Sequence, residues 1–340
     1  MINPPKNENF VGLDVGAEEL MLLVRSGDKS GPAQAYKNTT SDHQHIIKRL
    51  KKLGDCIVCL EATGVYSMDI SITLFDAGIR IMVINPQSSH NFAKVLGKHS
   101  KTDAVDADTL AQYAQRMPFQ HWIRPSNAYL QLRAFSRRIH ALTKQKSASK
   151  NQLHALSTTS NTPKEVLQDV KLSIAQLEKR IALLSQSALA LIHADPALEL
   201  AYQHLVAMTG FGDISAVSLL GELLLLPSGM SHKQWVKFSG LDPKHFRSGT
   251  SVDKKARISK AGNHYIRAAL YMPAMSAKAH DPYVKAYFEH LLAMGKTPMQ
   301  GLCAVMRKLL HALHGMLTNN APFDNTRFYA KPFENNPVST

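Results

Sequence analysis

The sequence predicts an α/β N-terminal domain, a long helical hairpin or coiled coil after it, and a mostly α-helical C-terminal domain. Three observations predict this order. Short alternating or wholly apolar runs separated by turn residues and helix-length segments fill residues 8–124, an apolar three-four spacing runs through 127–195, and 196–330 reads as helices broken by glycine turns. With 340 residues and 44% hydrophobic content the chain can build more than one core.

From Phe10 to Val15 the chain alternates, with Val11, Leu13 and Val15 on one face and Gly12 and Asp14 on the other, so Asp14 is a carboxylate on a strand. Leu20 to Val24, the turn Ser26-Gly27-Asp28 and a weaker strand from Ala33 to Lys37 complete an antiparallel meander. Ser41 is expected to cap a helix ending near Leu53. The apolar run Cys56 to Leu60 is a buried strand that ends in Glu61 and is broken by Ala62-Thr63-Gly64. A helix from about Tyr66 to Ala77 leads to a strand from Ile79 to Ile84. Asn85-Pro86 closes that strand, and a polar, basic loop is expected to reach Asp103.

Asp103 and Asp106 stand three residues apart at the start of a helix whose apolar positions are Leu110, Ala111 and Ala114, which puts both carboxylates on one face. A structural alternative makes Asp103 an N-cap and Asp106 a favourable charge at the helix dipole. Asp14 on the first strand, Glu61 after the fourth and two acids on a late helix resemble the arrangement of the ribonuclease H-like fold of the RuvC type. Four carboxylates suit two hard divalent cations of the kind that assist phosphoryl transfer, with Mg²⁺ expected and Mn²⁺ an alternative.

Pro118 and Trp122 to Pro125 mark a boundary. From Leu132 the seam 132, 135, 139, 142, 146, 149, 153, 156 is apolar except at Lys146 and Ser149; after Pro163 a second seam runs from Val166 to Leu191. Two long helices follow, free to close as an antiparallel hairpin or to pair with another chain.

Charge is distributed unevenly. Of the 40 Lys+Arg against 26 Asp+Glu in the chain, residues 231–330 hold 15 against 5, so the last third is the expected nucleic-acid surface. Thr209-Gly210-Phe211-Gly212 between two helices resembles a helix-hairpin-helix element, with a plain interhelical turn as the alternative. Further on, His245 to Asn263 is a hydroxyl-rich loop flanked by Arg247, Lys254, Lys255, Arg257 and Lys260, with Arg267 on the following helix. Ser248, Ser251 and Ser259 are by composition equal candidates for a nucleophile.

Gly12-Leu13-Asp14, Glu61-Ala62-Thr63-Gly64, Lys101-Thr102-Asp103 with Asp106, and Ser248-Gly249 followed by Lys260-Ala261-Gly262-Asn263 together resemble the DEDD transposase family of insertion sequences, which includes the Piv-type DNA invertases. The likeness runs from about Phe10 to Phe328. It implies that Asp14, Glu61, Asp103 and Asp106 bind metal and that Ser248 attacks DNA to give a covalent phosphoserine intermediate. It also implies donor and target DNA sites as partners, guidance by a structured bridge RNA, and homodimers that assemble into tetramers. The rival readings are a Piv-type invertase, a metal-dependent Holliday-junction-type nuclease that would not need Ser248, and a non-catalytic nucleic-acid-binding protein.

Other chemistries find little support. Cys56 and Cys59 sit at an offset of three in a strand, on opposite faces, and read as core residues; no Cys/His cluster has zinc spacing. His311 and His314 read as flanking a helix face. The start lacks a signal peptide's apolar core and no run approaches membrane-spanning length, so a cytoplasmic protein, nucleoid-associated when acting, is expected.

Overall fold

Alternation in the first strand sets the architecture. The computed structural model describes residues 9–62, 64–98, 102–227, 229–248 and 252–329, with backbone alone for 245–248 and 252–256. β1 (Asn9–Val15) is the central strand of a mixed sheet, antiparallel to β2 (Glu19–Ser26) and parallel to a later strand. The short β3 (Lys29–Ser30) and β4 (Gln34–Lys37) both pair with β2. Then come α1 (Thr40–Leu53), β5 (Cys56–Glu61), α2 (Met68–Asp76) and β6 (Arg80–Ile84), giving the strand order β3-β2-β1-β5-β6. The cap of α1 is Thr39, not Ser41, since the Thr39 side chain accepts from Asp42 N.

Asn85-Pro86 opens a helix where a loop was expected. Asn85 accepts from Gln87 N, and Pro86, which has no N–H to lose, fills the first turn of α3 (Pro86–Val95). α4 (Asp103–Arg116) follows, capped by Thr102, whose side chain accepts from Val105 N; Asp103 is therefore the first helical residue and not the cap.

Both faces of the sheet are covered. Val11, Leu13 and Val15 join Ile46, Leu50, Ile70 and Leu74 from α1 and α2 in one core. On the opposite face Phe10, Ile57, Cys59, Met82 and Ile84 meet Leu110 and Ala114 of α4, while Ala107 and Ala111 pack with Leu23. The two cysteines are buried on opposite faces, Cys56 in the first core and Cys59 in the second. The closing segment of the unit returns to the sheet, with Trp122 N donating to Ile81 O at 3.1 Å.

The chain divides into two compact units, Met1–Arg124 and Pro125–Thr340. In the second, α5 (Asn127–Ser157) and α6 (Lys164–His193) pack on each other within the chain, and Lys146, the polar break in the first seam, lies 3.8 Å from Glu178 while Lys150 lies 3.1 Å from it. The hairpin does not form a separate layer. Leu132, Ile139, Leu142, Ile181, Ala188 and Ile192 share one core with α7 (Pro196–Val206) and α8 (Asp213–Leu223), so a boundary at 195/196 would cut through continuous packing.

α9 (His232–Ser239) begins in a capping box at Ser231. The stretch expected as a loop is a hairpin instead, β7 (Pro243–Ser248) paired antiparallel with β8 (Val252–Ile258). α10 (His264–His280) runs through Pro273, and α11 (Pro282–Ala293) and α12 (Pro298–Asn319) complete the unit. Gly210 has φ of +93°, and a Cβ there would lie 2.7 Å from Pro273 O, so this glycine is committed to packing on α10 rather than to approaching a phosphate. Among the described residues, no single helix is long and apolar enough to cross a membrane.

Candidate active site

The sheet and α4 bring the acids together by register. A Cβ on Gly12 would fall 1.7 Å from Ala107 O, so α4 lies directly on the backbone of β1. Two residues further along β1, on the same face, is Asp14; Asp106 immediately precedes Ala107 on α4, and Asp103 lies about one helical turn back from it. A two-residue strand step of about 6.7 Å and a helical pitch of about 5.4 Å are close enough to keep these groups together. Leu13 pairs with Leu60 in the parallel ladder, which sets Glu61 beside Asp14 at the strand ends.

Electrostatics report the gathering. Burial first, then the charges of Asp106, Asp103 and Glu61, push the Asp14 carboxyl up from its ordinary value to about 6, against the lowering effect of the Val15 backbone hydrogen bond. A cleft of about 110 Å³ is lined by Asp14, Val15, Gly16, Glu19, Met21 and Asp103. Among the described residues no group of three or more histidine, cysteine, aspartate or glutamate side chains is placed to hold a metal ion as it stands. The donor set nevertheless fits a hard divalent cation: it is all oxygen, and the repulsion that raises Asp14 is what such a cation relieves.

Two polar arrangements beside this site carried no sequence signal as functional groups. Asp108, on another face of α4, accepts from Arg25 at 2.8 Å, Lys98 at 2.6 Å, Gln112 at 2.8 Å and Ser30 at 3.0 Å. Burial would raise its carboxyl, yet these hydrogen bonds, led by that of Lys98, hold it well below the usual carboxylate range. It ties α4 to β2 and to the segment before Asp103, fixing which face of the helix meets β1. The second is Ser89 on α3, whose hydroxyl donates to Glu61 Oε1.

The second unit holds the expected serine and bases. The backbone of Ser248 ends β7, opposite Val252. The side chains of Arg247, Ser248, Lys254 and Lys255 lie outside the described residues, as does Gly249 altogether. Arg257 and Lys260 are exposed. Arg267 is half-buried and donates to Ser239 O at 2.6 Å, so part of its guanidinium is used to close the turn at Gly240.

The Lys260-Ala261-Gly262-Asn263 motif has a structural explanation at the base of this hairpin. Gly262 has φ of +102° and its Cβ would meet Phe238 O at 2.1 Å, while Asn263 Oδ1 caps α10 by accepting from Tyr265 N at 2.9 Å. Asn263 Nδ2 donates to Glu222 Oε2 at 2.6 Å, and Arg137 grips the same buried carboxylate with bonds of 2.7 and 3.1 Å.

Known proteins resemble this chain over much of its length. A family model described as a transposase matches residues 11–159, and one described as the transposase IS116/IS110/IS902 family matches residues 202–289. The chain belongs to the DEDD transposase family of insertion sequences. This DEDD transposase family member is 28% identical over 267 residues to the pilin gene-inverting protein of Moraxella lacunata, a match that covers 78% of this chain and 81% of the relative. The pilin gene-inverting protein of Moraxella bovis matches to the same extent, 28% over 267 residues. An uncharacterized 43.6 kDa protein of insertion element IS110 from Streptomyces coelicolor is 26% identical over 121 residues, 36% of this chain and 30% of that protein. Among solved structures, T. thermophilus RuvC in complex with Holliday junction substrate aligns at 14% identity with a TM-score of 0.26, over 34% of this chain and 98% of that one.

Proposed function

We propose that this transposase-family protein cuts and rejoins DNA with a divalent-metal tetrad of Asp14, Glu61, Asp103 and Asp106 on a ribonuclease H-like, RuvC-type unit and a serine nucleophile, Ser248, on the second unit. The observation that carries it is the register that sets Glu61 beside Asp14 on adjacent strands and seats α4, with its two acids, on the backbone of β1. When bound, Mg²⁺ or Mn²⁺ would polarise a scissile phosphate and lower the cost of generating an alkoxide.

The chain's own residues do the rest. Asp14 and Glu61 supply carboxylates from adjacent strand ends, and α4 supplies two more from a helix that Gly12 and Asp108 hold in place. The Ser248 hydroxyl gives up its proton as Oγ attacks phosphorus; an Oγ–P bond forms, one P–O bond of the DNA breaks, and the departing oxygen takes a proton. Attack by a hydroxyl of another strand reverses these steps and restores the serine. Arg257 and Lys260 are exposed where phosphates could be neutralised, and with Arg247, Lys254, Lys255 and the remaining donors of Arg267 they form the proposed backbone-binding set.

Calorimetry tests the tetrad: Mg²⁺ should bind wild type and be lost in Asp103→Asn, and equal binding by both rejects it. Incubation with cognate DNA tests the serine. A protein–DNA adduct that survives denaturation should form with wild type and be missing in Ser248→Ala; an adduct that persists, or moves to Ser251, overturns the assignment.

Family membership also supports a bridge RNA pairing with donor and target DNA, and a dimer that assembles into a tetramer. Both seams are engaged within the chain, so an oligomer would use other surfaces, and light scattering with and without RNA measures it. The similarity to the two pilin gene-inverting proteins favours a second reading, in which the same cut-and-rejoin chemistry inverts a segment rather than moving an element. A plasmid carrying inverted sites flanking a marker separates the two outcomes.

A further inference from the structure

The start of α3 places a hydroxyl against the tetrad. Glu61 pairs with Ile84 across β5 and β6, so the residue after β6 emerges level with the end of β5. Asn85 and Pro86 turn the chain at once into helix, and one turn later Ser89 faces back toward Glu61. Ser89 is 5% exposed. Its Oγ lies within hydrogen-bond distance of Glu61 Oε1 and 2.9 Å from Pro86 O. A hydroxyl has one proton, and an ionised carboxylate is the stronger acceptor, so the bond goes to Glu61.

Two other buried helical hydroxyls of this unit behave differently. Ser71 donates to Ser67 O at 2.7 Å and Thr109 to Val105 O at 2.7 Å, each within its own helix. Ser89 reaches across to another element, and its partner is one of the four gathered acids. Glu61 is also the last residue of β5, so its carboxylate stands at a strand end and gains from an external restraint.

We infer that Ser89 is a positioning residue: its hydroxyl holds Oε1 of Glu61 and so orients that carboxylate for divalent-cation binding. This rests on the tetrad reading. Hydrogen-bond partners that orient metal ligands typically contribute about 10- to 100-fold in affinity.

The test is calorimetric titration of the full chain with Mg²⁺, and with Mn²⁺, for wild type, Ser89→Ala, Ser89→Thr, Glu61→Ala and the double variant. Ser89→Ala should weaken binding about 10-fold or more, and Ser89→Thr, which keeps the hydroxyl, should recover most of it. In the Glu61→Ala background Ser89→Ala should cause no further loss, a non-additivity that a merely structural serine would not produce. Should Ser89→Ala fail to fold, Ser89→Cys, nearly isosteric with a weak donor, takes its place. Wild-type affinity in Ser89→Ala, tighter binding there, or additive losses in the double variant overturn the positioning role and leave the tetrad standing. A wild-type chain that binds neither cation rejects the tetrad, and this inference with it.

Discussion

The two units solve the burial of charge in opposite ways. In the first, burial and then neighbouring like charges raise the proton affinity of Asp14, whereas in the second the buried Glu222 accepts hydrogen bonds from Arg137 and Asn263 within the fold. A satisfied carboxylate is structural, and a crowded one awaits a partner. On α4 itself Asp108 is held by four donors, whereas the charges of Asp106 and Asp103 help to raise Asp14.

The largest expected effect breaks the frame that holds both kinds of acid in the first unit. Gly12→Leu places atoms where the backbone of α4 already lies, and we expect more than about 3 kcal/mol of destabilisation in denaturant unfolding, with loss of cation binding. Near-wild-type stability would mean that α4 is not seated as described. Glu222→Ala comes next. Stranding Arg137, whose side chain is 35% exposed, should cost about 2–3 kcal/mol, while Glu222→Gln keeps shape and one acceptor and should lose less.

Asp108 and Asp14 sharpen the comparison through pH. The Asp108 carboxyl is depressed in the folded state, so its contribution is present above the ordinary carboxylate range and is lost as pH falls through that range toward its folded value. Asp108→Asn should therefore cost about 1–2 kcal/mol at pH 7 and progressively less in acid. Asp14 is raised to about 6, so the folded, metal-free chain binds a proton that the unfolded chain does not, and stability rises as pH falls from above 6 toward 4. The smallest effect follows: Asp14→Asn should stabilise the metal-free chain at pH 8, by about 1 kcal/mol once solvent screening of a partly exposed carboxyl is allowed for. Melting curves in chelator against pH check both signs, and destabilisation by Asp14→Asn would show that the acids are not crowded.

Much of the first unit was legible because a period of two fixes faces. Alternation put Asp14 opposite Val11, Leu13 and Val15, an apolar run gave the strand ending at Glu61, and three-residue spacing put Asp103 and Asp106 together. α3 escaped because Asn-Pro was read as the end of a strand, although the same pair caps and opens a helix. Asp108 escaped for a different reason: two of its partners, Arg25 and Ser30, are 83 and 78 residues away, and no local pattern carries that distance. In the second unit β7 and β8 were illegible as strands because Lys244-His245-Phe246-Arg247-Ser248 lacks an apolar alternation. The long seams were legible as helices, but not their sharing of a core with α7 and α8.

That shared core sets the terms on which the chain can be divided or exchanged. A fragment beginning at Pro196 would leave Leu198, Ala201 and Leu205 without Ile181, Ala188 and Ile192 against them, and would strip Glu222 of Arg137. One beginning at Pro125 keeps every one of these neighbours. The inheritable module of this protein is thus the long hairpin together with α7 and α8, so recombination between relatives that swapped one without the other would have to rebuild an interior as well as a surface.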